Sequence, residues 1–140
     1  MTNRSKNKGT AAESAVVKHA RANGFPLAER LALRGSKDQG DVRLMANVHL
    51  EVKAGAAAES ASDAQIAEWM DEADVEAGNA DVRHCWLVTK RKGKGKAGDW
   101  WAHLTVYDLI NWANSYDPIY PCDIPVRLRF DDLLTLLREG

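Results

Sequence analysis

The sequence reads as one α/β domain, an α/β sandwich around a mixed β-sheet, and three features of its pattern say so. The runs DVRLM (41–45) and HLEVK (49–53) alternate apolar and polar residues with the period of two expected of strands. Two stretches, 10–23 and 62–78, are built of helix formers, and the second spaces Ile66, Met70, Ala73 and Ala77 along one stripe. His84 to Thr89 is an apolar run bounded by charge, as in a strand buried on both faces.

The first helix runs from Thr10 to Asn23. Thr10-Ala11-Ala12-Glu13 fits a capping box, in which the threonine caps the helix and the glutamate reaches back, and Gly24 ends it. Leu27 to Leu33 reads as a first strand, followed by the polar turn Arg34 to Gly40. The 41–53 hairpin turns at Ala46-Asn47-Val48. After the small-residue linker AGAAAESA, Ser62 caps the second helix, whose acids face away from its apolar stripe. The strand 84–89 leads into the basic loop 90–99, and Trp100 to Thr105 alternates like another strand. Val106 to Asn114 is helical in pattern, YDPIYPCDIP a proline-punctuated loop, Val126 to Phe130 a last strand and Asp131 to Arg138 a leucine-rich helix.

Composition narrows the function classes. A hydrophobic content of 45% supports an ordinary core, and no apolar run approaches the ~18 residues of a membrane span. MTNRSKNKGT lacks the apolar centre of a secretory signal, so an intracellular, cytoplasmic setting is expected. Cys85 and Cys122 form no CxxC spacing and read as packing residues; with His84 and His103 they are too scattered for a structural zinc site. The net charge of −1 argues against a strongly basic nucleic-acid binder, yet the charges are segregated. Arg4, Lys6 and Lys8 make residues 1–8 a basic N-terminal arm. Lys90, Arg91, Lys92, Lys94 and Lys96 crowd one glycine-bearing loop, which fits either a solvated turn or a mobile arm that orders on phosphates.

The hairpin carries the chemistry. Leu50 and Val52 share one face of their strand, and His49, Glu51 and Lys53 share the other. If the hairpin closes tightly around Asn47, Asp41 lies opposite Glu51, and like charges so placed destabilise a sheet unless a cation sits between them. Oxygen ligands of this type suit Mg²⁺, with Mn²⁺ able to substitute. Such an ion stabilises charge on a phosphate and supplies hydroxide, while Lys53 can orient the attacking water or offset developing negative charge. That combination is phosphodiester hydrolysis. Aromatic platforms for single strands are not evident, so contact with a duplex backbone is expected.

Gly40-Asp41 followed by Glu51-Val52-Lys53, with Glu13 on the helix before and Gln65 on the helix after, resembles the PD-(D/E)XK nuclease superfamily. KGTAAE, NGF, RGSKDQGDV, LEVKAG and KRKGKGKAGDWW resemble the small Holliday-junction resolvases, above all those of phages and prophages, over roughly residues 4–101. The resemblance implies a restriction-endonuclease-like fold in a single domain. It implies Asp41, Glu51 and the Val52 carbonyl as metal ligands, Lys53 as the catalytic lysine, Glu13 completing the site directly or through water, and Gln65 beside the lysine. Arg34, Ser36 and Lys37 fall where the resolvases have a serine-containing loop, and are expected at the DNA with the basic arm and loop. Gly40 stands where the name-giving motif has proline.

The implied activity is Mg²⁺-dependent, structure-selective cleavage of branched double-stranded DNA, most characteristically four-way junctions, by a homodimer that makes two symmetric cuts. Two alternatives share the fold: another nuclease (restriction-like, flap or mismatch), or a DNA-binding module without chemistry. Each site residue also has a plainer explanation. Glu13 has the capping box, Asp41 has turn chemistry after glycine, Glu51 and Lys53 have the solvated face of an edge strand, and Gln65 has the polar side of an amphipathic helix. Trp100 and Trp101 are expected in the core or at a dimer contact.

Overall fold

A computed structural model describes residues 2–32, 38–114 and 123–139, with side chains described from Gly9 onward and not at 113–114. Six strands form one mixed sheet in sequence order: β1 (Glu29–Arg30), β2 (Val42–Met45), β3 (Val48–Lys53), β4 (His84–Thr89), β5 (Trp101–Thr105) and β6 (Pro125–Arg129). Neighbours are antiparallel except β3 and β4, which run parallel. Parallel strands need a long crossover. Here α2 (Ala56–Glu59) and α3 (Asp63–Ala80) supply it, while α1 (Thr2–Ala22), α4 (Val106–Asn114) and α5 (Phe130–Glu139) complete the α/β architecture.

The two faces of the sheet are chemically different. Val42, Leu44, Val48, Leu50, Val52, Trp86, Val88, Ala102 and Leu104 form the apolar face, which packs against Val16, Val17 and Ala20 of α1 and Phe130, Leu133, Leu134 and Leu137 of α5. Burying a side chain such as Leu50 or Leu134 contributes about 1.5–3 kcal/mol, and these residues form one continuous core. Across that core the His19 Nε2 and Asp131 Oδ1 atoms approach to 2.5 Å, tying α1 to α5. The Asp131 carboxylate in turn lies so close to Gly98 that any side chain there would collide with it. On the other face α3 packs Ala73 and Ala77 against Cys85. That face also carries His49, Glu51, Thr89 and His103, all buried.

Several elements match their sequence patterns. Ser62 Oγ accepts the Gln65 amide at 3.1 Å to cap α3, and β4 and α4 span the residues expected of them. Four expectations are corrected. Thr10 does not cap the first helix, which already runs from Thr2: extending a formed helix adds one hydrogen bond per residue fixed, so the local cap signal loses to propagation. Residues 2–8 are therefore turns of α1 and not a separate arm. The first strand shrinks to Glu29–Arg30 at the sheet edge, although Leu31 still donates its amide to the Asp41 carbonyl. Of the two readings of the basic loop, its contacts favour the turn. The Trp100 indole donates to the Lys94 carbonyl at 2.7 Å, Arg91 donates to the Asp99 carbonyl at 2.9 Å, and a 3₁₀ turn over Ala97–Asp99 closes it. Finally, not every acid of α3 faces away from the sheet: Glu76 is only 5% exposed. Arg34, Ser36, Lys37 and Cys122, and the side chains of Arg4, Lys6 and Lys8, lie outside the described residues. No described helix is long and apolar enough to cross a membrane.

His103 gives the fold a pH signature. Its Nε2 lies 2.8 Å from the Thr89 hydroxyl, and burial, helped by the Arg127 charge, pushes the imidazole down to about 4 from the ordinary 6.5. Between those values the unfolded chain takes up a proton that the native ring refuses. The contribution of the neutral ring is thus complete above about pH 6.5 and declines as pH falls toward 4. In urea unfolding, His103→Gln is expected to show a shallower loss of midpoint between pH 6.5 and 4 than the parent; parallel curves would contradict this account.

Candidate metal centre

The centre is assembled at the junction of β2, β3 and α3. Strand pairing places Val42 opposite Leu50 and Arg43 opposite His49, a register set by a β-bulge between Arg43 and Met45, and the Asp41 carboxyl lies beside that of Glu51. The turn is tight because Asn47 takes a left-handed backbone (φ 65°), which asparagine tolerates better than most residues. Asp41 is fixed from two sides. Its amide donates to the Leu50 carbonyl at 2.9 Å, and its Oδ2 accepts the Val52 amide at 2.8 Å. The Val52 carbonyl, implied as a ligand, faces the same strand edge as the Val52 amide by strand geometry.

Gly40 makes this approach possible. Its φ of 97° is costly for a residue with a side chain, and a Cβ would stand 3.3 Å from Cys85 Sγ and 3.4 Å from the Leu50 carbonyl oxygen. Just before it, the Gly40 amide donates to Asp38 Oδ1 at 2.9 Å and Asn79 of α3 donates to the Asp38 carbonyl at 2.8 Å. Asp38 is thereby brought to the site. Carboxylate oxygens of Asp38, Glu51 and Glu76 all lie within 4.8 Å of one another.

Glu51 is the anomaly in this group. It is 4% exposed, and among the described residues its Oε1 has no hydrogen-bond partner. Burial, then the neighbouring Asp41 and Glu76 carboxyls, push its pKa up to about 12. Glu76 is also raised, first by burial, and the Cys85 thiol lies 3.8 Å from its Oε2. Among the described residues the cation within reach of Glu51 is Lys53, whose Nζ stands 3.8 Å from Glu51 Oε2 and 3.8 Å from Glu72 Oε2, and 5.6 Å from the centre of the Trp69 ring. A single partly exposed ammonium does not neutralise four carboxyl groups. An uncompensated acid in low dielectric takes up a proton or a metal ion, and this all-oxygen donor set, with an orphaned buried oxygen, fits a hard divalent cation.

Glu13 stands at the margin. Burial and the Asp41 charge raise its pKa, and Arg30 holds it by donating to Oε1 at 3.4 Å. The Gln65 backbone N–H serves the α3 cap, and one helical turn later Trp69 meets Lys53. Asp38 and Glu76 belong to the centre although the sequence reading passed over both. Glu76 had a signal, since it shares the Ala73–Ala77 stripe at helical spacing. Asp38 had none beyond its place in a polar turn.

Two expectations follow. Glu51 binds its proton more tightly when folded than unfolded, so its contribution is complete below about pH 4.5 and is lost as pH rises. In EDTA at pH 8, Glu51→Gln is expected to melt several degrees above the parent, with the gap closing near pH 4.5; an unchanged or lower melting temperature at pH 8 contradicts the burial argument. Mg²⁺ at a hundred times its dissociation constant stabilises a bound protein by about 2.7 kcal/mol. It is expected to raise the melting temperature of the parent, to raise it less for Glu76→Gln, and to leave Glu51→Gln unmoved.

No protein-family model matches the chain, nor does any curated protein or solved structure.

Proposed function

We propose that the chain is a Mg²⁺-dependent, structure-selective DNA endonuclease, a Holliday-junction resolvase acting as a homodimer on a restriction-endonuclease-like fold. The observation that carries the reading is the buried Glu51 carboxylate, whose Oε1 has no hydrogen-bond partner among the described residues, beside Asp41 and with Lys53 two residues along the same face. A site that only maintained the fold would not keep this arrangement, because burying acids against one another opposes folding.

Asp38, Asp41, Glu51 and Glu76 are the side chains that would hold the ion, and Mn²⁺ suits the same donors. When bound, the ion supplies positive charge that stabilises a phosphate as negative charge builds on its oxygens. The remaining work falls to the chain's own groups. Lys53, steadied by Glu72 and the Trp69 ring, can donate to an attacking water or to the developing oxyanion. Glu13, its pKa raised, can hold a proton at the edge of the site. The exposed Lys92, Lys94 and Lys96 present positive charge to a DNA backbone from a loop already in shape, so little ordering cost accompanies binding.

The test is cleavage of a four-way junction beside a linear duplex of matched sequence, with Mg²⁺ or EDTA. Metal-dependent cutting that favours the junction is expected. Glu51→Ala should abolish it while leaving junction binding intact, since one fewer carboxylate lessens the repulsion of phosphate. Lys53→Ala should slow cutting by about 10²–10³-fold, the usual scale for losing one stabilising donor. Failure of the parent to cut either substrate would refute the enzyme reading, and equal cutting of both would refute the selectivity.

A further inference from the structure

The α3 side of the sheet continues past the metal centre. Strand register sets Lys53, Thr89, Trp101 and Arg129 in one row across β3 to β6, and Glu51, Leu87, His103 and Arg127 in the next. Beyond α3 this face opens into a cleft of about 450 Å³, floored by Thr89, Trp101, His103 and Arg127. The guanidinium carbon of Arg91 lies 4.0 Å from the centre of a Trp101 ring and that of Arg127 4.3 Å. Two like charges that near one indole must take opposite faces, so Trp101 offers no open face to a base. What the stack does present is oriented cations.

The two arginines and their neighbour differ in what they have left to give. Arg91 donates to the Asp99 carbonyl. Arg129 donates twice to Asp132, at 3.1 Å each, and lies 3.8 Å from Asp99. Arg127 is exposed, and among the described residues no carboxylate or carbonyl accepts from it. Its planar fork, laid on Trp101 with its N–H edge free, is preorganised for an oxyanion. Glu59 and Asp63 on the opposite wall repel such a group from the cleft interior. That leaves the loop side, where Lys92, Lys94 and Lys96 are exposed.

We propose that Arg127, seated on Trp101 opposite Arg91, anchors a phosphate of the DNA strand that leaves the acidic centre across β4 toward β6. The proposal rests on the nuclease reading for the identity of its ligand. Its spacing is right for that path: three strand intervals span about 14 Å, or about four nucleotide steps at 3.4 Å each.

The test is equilibrium binding of a labelled duplex in Ca²⁺, titrated with NaCl, for the parent, Arg127→Ala, Arg127→Lys and Lys18→Ala. Lys18 is an exposed cation on α1, across the sheet. Losing one phosphate contact should lower the slope of log K against log salt by about 0.9 and weaken binding several-fold at low salt in Arg127→Ala. Arg127→Lys should keep the slope, and Lys18→Ala should match the parent throughout. An unchanged slope in Arg127→Ala, an equal loss in Lys18→Ala, or displacement of the duplex by polyglutamate as readily as by unlabelled DNA would each overturn the proposal. Cleavage in Mg²⁺ is scored separately. A parent that binds with the expected slopes but does not cut leaves this surface standing while the nuclease reading falls, and one that cuts with no Arg127 effect does the opposite.

Discussion

A buried carboxylate crowded by other acids, Glu51, is the constraint around which this molecule is organised. Glu51 lies in the middle of a sheet whose third strand is covered on both sides, and only its neighbours can settle its charge. Asp41 cannot help, because it is acidic and bound to the Val52 amide; Glu76 and Asp38 add to the problem. Lys53 relieves part of it from the rim. Burial and the surrounding carboxyls consequently raise the proton affinity of Glu51, and burial raises that of Glu76.

Such a centre needs a scaffold that will not relax around it. The apolar face of the sheet provides one, since α1 and α5 press a continuous core against the side of β3 that carries Leu50 and Val52. Because neighbouring residues of a strand alternate, the rigidity of that face is passed directly to Glu51 and Lys53 on the reverse. The β4–β5 loop is held by the same economy of contacts. Trp100 goes into the core and its indole fastens the Lys94 carbonyl, while the adjacent Trp101 turns to the other face and collects Arg91 and Arg127. Two consecutive tryptophans thus connect the core to the charged surface.

Much of this was readable in the chain. The Ser62 cap, the buried run at 84–89 and the turn at Asn47 are local signals, each decided within a few residues, and each appears where its pattern puts it. The nearness of the Asp41 and Glu51 carboxyls was expected from alternation and a tight turn, but the register that brings them together also needs a β-bulge between Arg43 and Met45. Local signals failed where a neighbouring segment outweighed them. Thr10 has the sequence of a cap, yet the helix runs through it. The composition of Lys90–Lys96 left a turn and a loose arm equally open, and one indole and one guanidinium fasten the loop.

By itself, then, the sequence determined which residues share a strand face and that Ser62 opens α3, because those are matters of short-range backbone geometry. Which acids meet was a tertiary decision. The β3–β4 crossover lays α3 over the sheet and turns Glu76 inward, and the Asn79 contact folds Asp38 over the same spot, though 13 and 25 residues separate these acids from Glu51. No periodicity encodes a meeting of three segments. It arises from the sheet order and from the packing of Ala73 and Ala77 on Cys85, which fixes how closely α3 can approach.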